Sequence, residues 1–356
     1  MREFQLPRPA QRDSATRIVI GKSARQQLAQ LVDDTFGGAP WALCADGHVL
    51  QLWYDDLAVE PPLGFFPLPP GEAAKSFAVV ESLLEEFTRV GVGRDACIVT
   101  LGGGAAGDAA GLAAALHLRG IATANVPTSL LSMVDASLGG KCAVNLATGK
   151  NLAGTFWNPA LVVIDPDFLE TLAEVEFRSG LGEIAKYALG FSQPLADSLQ
   201  QGVGDLAAVI ETCVGIKADI VIADPYETSG TRARLNLGHT TAHALEAWAA
   251  DDEVLVPHGL AVGLGLRVAC NLALEEGRLS QDEHSSANAL LDRHQLPATL
   301  SDLIAKPPPA AELTPFLGRD KKIIAGELRV VLPNGIGASE VTTIDASRFA
   351  QAIANC

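Results

Sequence analysis

The chain has 356 residues, 48% of them hydrophobic and only 19% charged, with a formal net charge of -16. This length and apolar content exclude wholesale disorder and exceed what one core usually serves, so two domains are expected. The acidic balance argues against nucleic acid and anionic membrane as partners, since both are held chiefly by Lys and Arg at phosphates, although a local cation cluster can still hold a small phosphorylated molecule.

Strand-like runs occur at Arg17–Ile20, Trp41–Ala45, Phe65–Pro67, Ala96–Leu101, Thr123–Val126 and Leu161–Ile164, with helix-like segments at Lys22–Val32, Glu72–Val90 and Gly107–Leu118. The alternation predicts a parallel sheet covered by helices, a Rossmann-like α/β domain over residues 1–165. Beyond Asp165, Leu181–Leu189, Leu206–Ala223, Gly238–Ala249, Leu260–Leu274 and Asp282–His294 carry helical periodicity. A mainly α-helical domain over residues 166–356 is expected, broken by a short strand pair at Leu328–Leu332 and Val341–Ile344. The most apolar long stretch, Gly259–Leu274, is interrupted by Arg267 and Asn271 and reads as a buried helix, not a membrane span. Six cysteines without CxxC pairing, and no apolar secretion signal in residues 1–20, place the chain in a reducing cytoplasm.

Gly102-Gly103-Gly104-Ala105-Ala106-Gly107-Asp108 follows a predicted strand and opens a predicted helix. Its amides and the helix N-terminus suit an anion such as a pyrophosphate, and glycine permits the close approach. The acidic residue that an ordinary Rossmann fingerprint carries about 20 positions later is replaced by Pro127-Thr128-Ser129. Read alone, the loop could be a structural turn; Asp108, just inside the helix, favours a ribose or nicotinamide contact.

Asn236-Leu237-Gly238-His239-Thr240-Thr241-Ala242-His243 puts two imidazoles on one helical face, and His258 follows before another apolar helix. Imidazoles with a carboxylate form a normal zinc set. Spacing alone proposes His239, His243 and a third ligand from His258 or an acid elsewhere, against the plainer reading of capped or surface histidines. Glu183 lies on an otherwise apolar helix, where an unpaired carboxylate is costly. It needs a cation, either Lys186 on the same face or a metal.

Arg119-Gly120, Asp135 through Lys141, and Gly149-Lys150-Asn151 place cations and an amide between the glycine loop and the helical half, with Lys217, Arg232 and Asp320-Lys321-Lys322 further on. Singly, each cation reads as a solvated surface charge. Jointly they read as an anion site, because Arg and Lys suit phosphate and carboxylate.

Taken together, these motifs, with Gly71-Glu72-Ala73-Ala74-Lys75-Ser76 and Val126–Leu131, resemble the 3-dehydroquinate synthase family over nearly the whole chain. The resemblance implies Glu183, His239 and His258 as ligands of a divalent metal, zinc or cobalt, with His243 turned toward substrate. It implies NAD held by Asp46, Glu72, Lys75, Gly103, Gly104, Asp108, Thr128, Ser129, Lys141, Lys150 and Thr171. Asp135, Lys141, Asn151, Lys186, Lys217, Arg232, Asn236 and Lys321 would hold a phosphorylated sugar acid, with Arg119 supplied across a homodimer interface. The implied reaction is transient oxidation, phosphate elimination, reduction and intramolecular aldol closure.

The sequence departs from the family at Leu260, where a Glu is usual after His-Gly, and at Cys142 and Ala242; Asp224–Thr231 is one residue longer than the common pattern. Leu260 removes a carboxylate of the kind that commonly tunes a metal ligand. The rival readings are a sister cyclase of the inosose or valiolone type, a glycerol-type alcohol dehydrogenase, and an NAD-binding regulator with a relict site. Net NADH release would mark the dehydrogenase, and absence of metal and phosphate release the regulator.

Overall fold

Short runs of Val, Ile and Leu make the strands of a central sheet in a computed structural model that describes residues 15–57, 59–251, 255–317, 323–324 and 327–356. The first half runs β1 (Arg17–Ile20), α1 (Leu28–Phe36), β2 (Trp41–Asp46), α2 (Gly47–Leu57), β3 (Phe65–Leu68), α3 (Phe77–Val90), β4 (Cys97–Gly102), α4 (Gly104–Leu116) and β5 (Ala122–Pro127). A hairpin of β6 (Lys141–Leu146) and β7 (Gly149–Phe156) precedes β8 (Leu161–Ile164). Six strands order as β1-β8-β5-β4-β2-β3, and every pairing is parallel. Every residue of β2, β4 and β8 is buried, as parallel strands covered on both faces require.

One face of the sheet packs Phe66 and Ile98 against Val80 and Phe87 of α3 and Ala109 and Ala113 of α4. The other face shares a continuous core with α1, α2 and the helices of the second half. The predicted helix Glu72–Val90 divides into a 3-10 turn at Gly71–Ala74 and α3. Ser76, extended, accepts the Val79 amide as an N-cap and resets the helix start. Helix α2 and the β6–β7 hairpin were not among the predicted elements. Strand β7 has no buried residue and β6 buries only Cys142 and Val144, so the hairpin lacks the apolar run that marked the other strands.

The second half runs α5 (Glu174–Phe191), α6 (Gln193–Gln201), α7 (Leu206–Ala223), α8 (His239–Asp251), α9 (His258–Glu275), α10 (Gln281–Arg293) and α11 (Ala310–Leu317), then β9 (Ile323–Ile324), β10 (Glu327–Pro333), β11 (Ser339–Asp345) and α12 (Ala346–Ala354). The expected strand pair is present as antiparallel β10 and β11, with Val330 opposite Thr342. Helix α9 is buried along almost its whole length, which accounts for its apolar sequence on every side. Among the described residues no helix is long and apolar enough to cross a membrane.

Glycines set how closely these helices meet. A Cβ on Gly182 of α5 would stand 1.9 Å from the Gly259 carbonyl oxygen of α9, and one on Gly259 would stand 1.8 Å from the Ser179 carbonyl oxygen. A Cβ on Gly265 of α9 would stand 2.0 Å from the Gly238 carbonyl oxygen just before α8. The Gly259 amide donates to Ser179 Oγ at 2.9 Å, tying the two backbones at the same point. Because backbone cannot retreat as a flexible side chain can, Gly182→Ala should cost about 3 kcal/mol or more of unfolding free energy, at the upper end of overpacking penalties. Denaturant unfolding checks this, and a variant as stable as the parent would show that the contact is not tight.

Candidate active site

The carboxyl ends of the parallel strands converge on one cleft, the position where open α/β sheets bind ligands. Asp46 ends β2, Gly102-Gly103-Gly104 joins β4 to α4, and Thr128 and Ser129 follow β5. Gly103 is the extended N-cap of α4 and has no side chain to cap it, which leaves the helix N-terminus available to an anion. The Thr128 amide donates to the Gly102 carbonyl at 3.0 Å and holds the two strand ends together. Gly103, Gly104, Asp108, Ser137 and Lys141 line the cleft. The Asp46 carboxylate accepts the amides of His48 at 2.9 Å and Gly71 at 3.0 Å, so it fixes the start of α2 and the loop that carries Glu72.

Lys75, buried, bonds both Asp108 and Asn151 through Nζ. Burial raises the Asp108 carboxyl to about 6, against the pull of Lys75. Asn145 joins this network at three points: its Nδ2 donates to Glu72 at 2.6 Å, its Oδ1 accepts the Asn151 amide at 2.9 Å, and its amide donates to the Lys75 carbonyl at 2.9 Å. Residues expected at the cofactor and at the substrate are thus one hydrogen-bonded unit. Asn151 has a left-handed φ of 57°, which asparagine tolerates better than most residues. Thr171 stands apart, its Oγ1 accepting from Trp53 Nε1 at 3.0 Å.

On the facing side, Glu183 of α5, His239 of α8 and His258 of α9 bring one donor atom each within 4.8 Å of one another. Glu183 Oε1 is 3.3 Å from Nε2 of both His239 and His258. Glu183 is 1% exposed, and its Oε2, 2.6 Å from Lys186 Nζ, has no aligned hydrogen-bond partner. The Nδ1 of His239 faces the Leu237 carbonyl at 3.2 Å, and that of His258 faces Glu246 Oε2 at 3.2 Å. Acceptors at Nδ1 leave Nε2 as the free donor atom, so the set fits a divalent metal on its own chemistry. The His243 ring lies beside this group, 5.5 Å from the His239 ring and 6.2 Å from the His258 ring by centroid. Burial disfavours charge on Glu183, yet Lys186 and His239 hold it well below its usual range. Burial also opposes the His258 cation, but the hydrogen bonds to Glu183 and Glu246 raise it to about 10. A divalent metal held by these residues would need His258 neutral, as imidazole ligands generally are.

Next to this group, Asp135 pairs with Lys186 at 3.1 Å and Lys217 at 2.9 Å and accepts the Tyr187 hydroxyl. Burial disfavours its charge, but the two lysines keep it far below the ordinary carboxylate range. Lys217, buried beside Lys186 and Arg232, is lowered to about 8 despite Asp135. Arg232 is buried and donates to the Pro225 carbonyl at 2.8 Å and the Gly139 carbonyl at 3.0 Å. Asn236 lines a second pocket with Thr240 and Arg329. Lys141 pairs with Glu227 at 2.6 Å and Lys150 with Glu246 at 3.1 Å. Arg119 is exposed at the amino end of β5, a strand length of about 20 Å from the cleft. Lys321, with Asp320 and Lys322, lies outside the described residues.

Sequence reasoning missed Asn145, Tyr187 and Glu246. Glu246 carried a signal, since it falls three residues after His243 and seven after His239, on the same helical face. Tyr187 and Asn145 sit beside motif residues but have no spacing rule of their own.

The family profile for the 3-dehydroquinate synthase N-terminal part matches residues 65–179, and that for the C-terminal part matches residues 180–323. A 3-dehydroquinate synthase from Ruegeria sp. (strain TM1040) is 41% identical over 326 residues, 89% of this chain and 85% of that protein. The fold is similar to 2-epi-5-epi-valiolone synthase from Streptomyces hygroscopicus subsp. jinggangensis 5008, solved with NAD+ and Zn2+ bound, with TM-score 0.83 and 26% identity over 98% of both chains. It is also similar to 2-deoxy-scyllo-inosose synthase complexed with carbaglucose-6-phosphate, NAD+ and Co2+, with TM-score 0.81 and 24% identity over 96% of this chain and 97% of that one.

Glu183→Gln should remove stoichiometric metal, measured by elemental analysis, while NAD affinity stays within about threefold, because the glycine loop lies on other elements. Normal metal content in that variant would remove Glu183 from the ligand set.

Proposed function

The chain belongs to the 3-dehydroquinate synthase family, and from that membership we propose that it converts 3-deoxy-D-arabino-heptulosonate 7-phosphate to 3-dehydroquinate and phosphate. The observation that carries the reading is the convergence of Glu183, His239 and His258 beside the Asp135, Lys186 and Lys217 cluster. The cofactors are NAD and a divalent metal, zinc or cobalt. NAD bound in the cleft supplies a transient hydride acceptor, and the metal supplies Lewis acidity toward hydroxyl and carbonyl oxygens. We place NAD on the residue 1–165 part and metal with substrate on the residue 166–356 part, an assignment supported by where the glycine loop and the three donors lie.

The protein's own groups do the holding. Lys217 and Arg232 carry buried positive charge suited to a carboxylate or phosphate, and Lys186 ties Glu183 to Asp135 so that donor and acceptor positions stay fixed. Asp135, with two lysines on it, stays ionised and can accept from a substrate hydroxyl. Lys141 and Asn151 on the hairpin and His243 beside the donor group complete the proposed substrate set. We further propose a homodimer in which a partner copy supplies Arg119, which in its own chain stands at the amino end of β5, away from the cleft. Free, mostly buried cysteines suit a cytoplasmic location.

The test is incubation of metal-loaded protein with NAD and the phosphorylated seven-carbon acid. Phosphate and 3-dehydroquinate should form in equal amounts without net NADH, from protein that sediments as a dimer. Net NADH accumulation or absence of the carbocycle would overturn the reading. The likeness to the inosose and valiolone enzymes keeps a sister substrate as the second reading, which the same product analysis decides.

The Lys217 charge gives a pH signature. Since it is cationic below about 8 and neutral above, the substrate KM should rise as pH passes through that value. Lys217→Arg, which stays charged, should move the rise to higher pH; an identical profile would assign it to another group.

A further inference from the structure

Each of the two imidazoles in the donor group has its second ring nitrogen fixed, but by unlike partners. His239 Nδ1 meets a neutral backbone carbonyl, that of Leu237, whereas His258 Nδ1 meets the carboxylate of Glu246. Glu246 projects from α8 onto the first residue of α9, so it bridges two elements that each carry a ligand. Its side chain is 9% exposed, and its other oxygen is engaged by Lys150 Nζ at 3.1 Å, from the β6–β7 hairpin. Leu260, two residues beyond His258 and 7% exposed, is apolar and has no group to accept a proton or hydrogen bond.

We infer that Glu246 is a positioning residue for the metal: it holds the His258 ring with Nε2 toward Glu183 and strengthens that nitrogen as a donor. A negative partner on Nδ1–H makes the opposite ring nitrogen a stronger ligand, and loss of such a partner commonly weakens metal binding about 10- to 100-fold. Lys150 limits this effect by drawing on the same carboxylate. The hairpin is thereby linked to the metal, and the link runs through charge, not through ligation.

The inference rests on the reading of Glu183, His239 and His258 as the ligands, and the experiment separates the two. Metal-free full-length protein is titrated with Co2+ against a competing chelator, and the visible bands of the bound ion are recorded. Failure of the parent protein to bind Co2+ would sink the ligand reading itself. Given binding by the parent, Glu246→Ala should bind about 10- to 100-fold more weakly with altered bands. Glu246→Gln, which keeps an acceptor oxygen but not the charge, should fall between the two and serves as the test should the alanine variant not fold. Lys150→Met should bind no more weakly than the parent. Parent-like affinity and bands in Glu246→Ala, or in Glu246→Gln where it stands alone, would overturn the inference. So would a loss in Lys150→Met equal to that in Glu246→Ala, because Glu246 would then be only an anchor for the hairpin.

Discussion

The site depends on backbone touching backbone. Each of the three converging donors is next in sequence to a glycine at a helix contact: Gly182 before Glu183, Gly238 before His239, and Gly259 after His258. A Cβ at any of these glycines would meet main-chain atoms of the facing segment within 3 Å. Helices separated by ordinary side chains lie 8–10 Å apart, so these close contacts set how the three donor-bearing segments are spaced and where their side chains meet. Gly238 adds a second requirement, a φ of 80° that turns the chain into α8. The glycines thus decide where the donors are, and the donor residues decide what the place can do.

The same packing explains why so many charges are tolerated inside. Glu183, Lys186 and Lys217 are nearly inaccessible, and Asp135 joins them into one chain of alternating sign. Buried ion pairs seldom stabilise a protein relative to apolar packing, because desolvation offsets most of the attraction. Their value here is positional. Removing a single member would leave an unpaired buried charge, so the cluster is held as a unit. A protein of strongly acidic composition can in this way keep a local cationic surface for an anionic substrate.

Much of this was legible in the sequence where periodicity or spacing carried it. All six strands of the sheet and the long helices were read from apolar runs, because burial on both faces leaves that trace in β2, β4 and β8. The β6–β7 hairpin was not, since it buries only Cys142 and Val144 and leaves no continuous apolar run. Spacing put His239 and His243 on one face and proposed both as ligands, whereas the donors that converge with Glu183 are His239 and His258. That convergence depends on how α9 docks against α5, which the glycines govern over a separation of 77 residues between Gly182 and Gly259. Asn145 was illegible for a related reason, because its three partners come together only when the hairpin folds over the Glu72–Lys75 turn.

The hairpin is also where the two halves meet energetically. Lys141 and Lys150 reach carboxylates of the second half, Glu227 and Glu246, while Asn151 bonds Lys75 of the first. These contacts are unequal. The Lys141 side chain is 54% exposed, and an exposed ion pair contributes about 0–1 kcal/mol, so an incoming anion can take Lys141 from Glu227 at little cost. Glu246 is nine-tenths buried and holds His258 as well, so exchange of its partners is costlier and reaches the metal group. The hairpin is therefore tied to the second half by two pairs of unequal strength, the firmer one ending on the carboxylate that also holds His258.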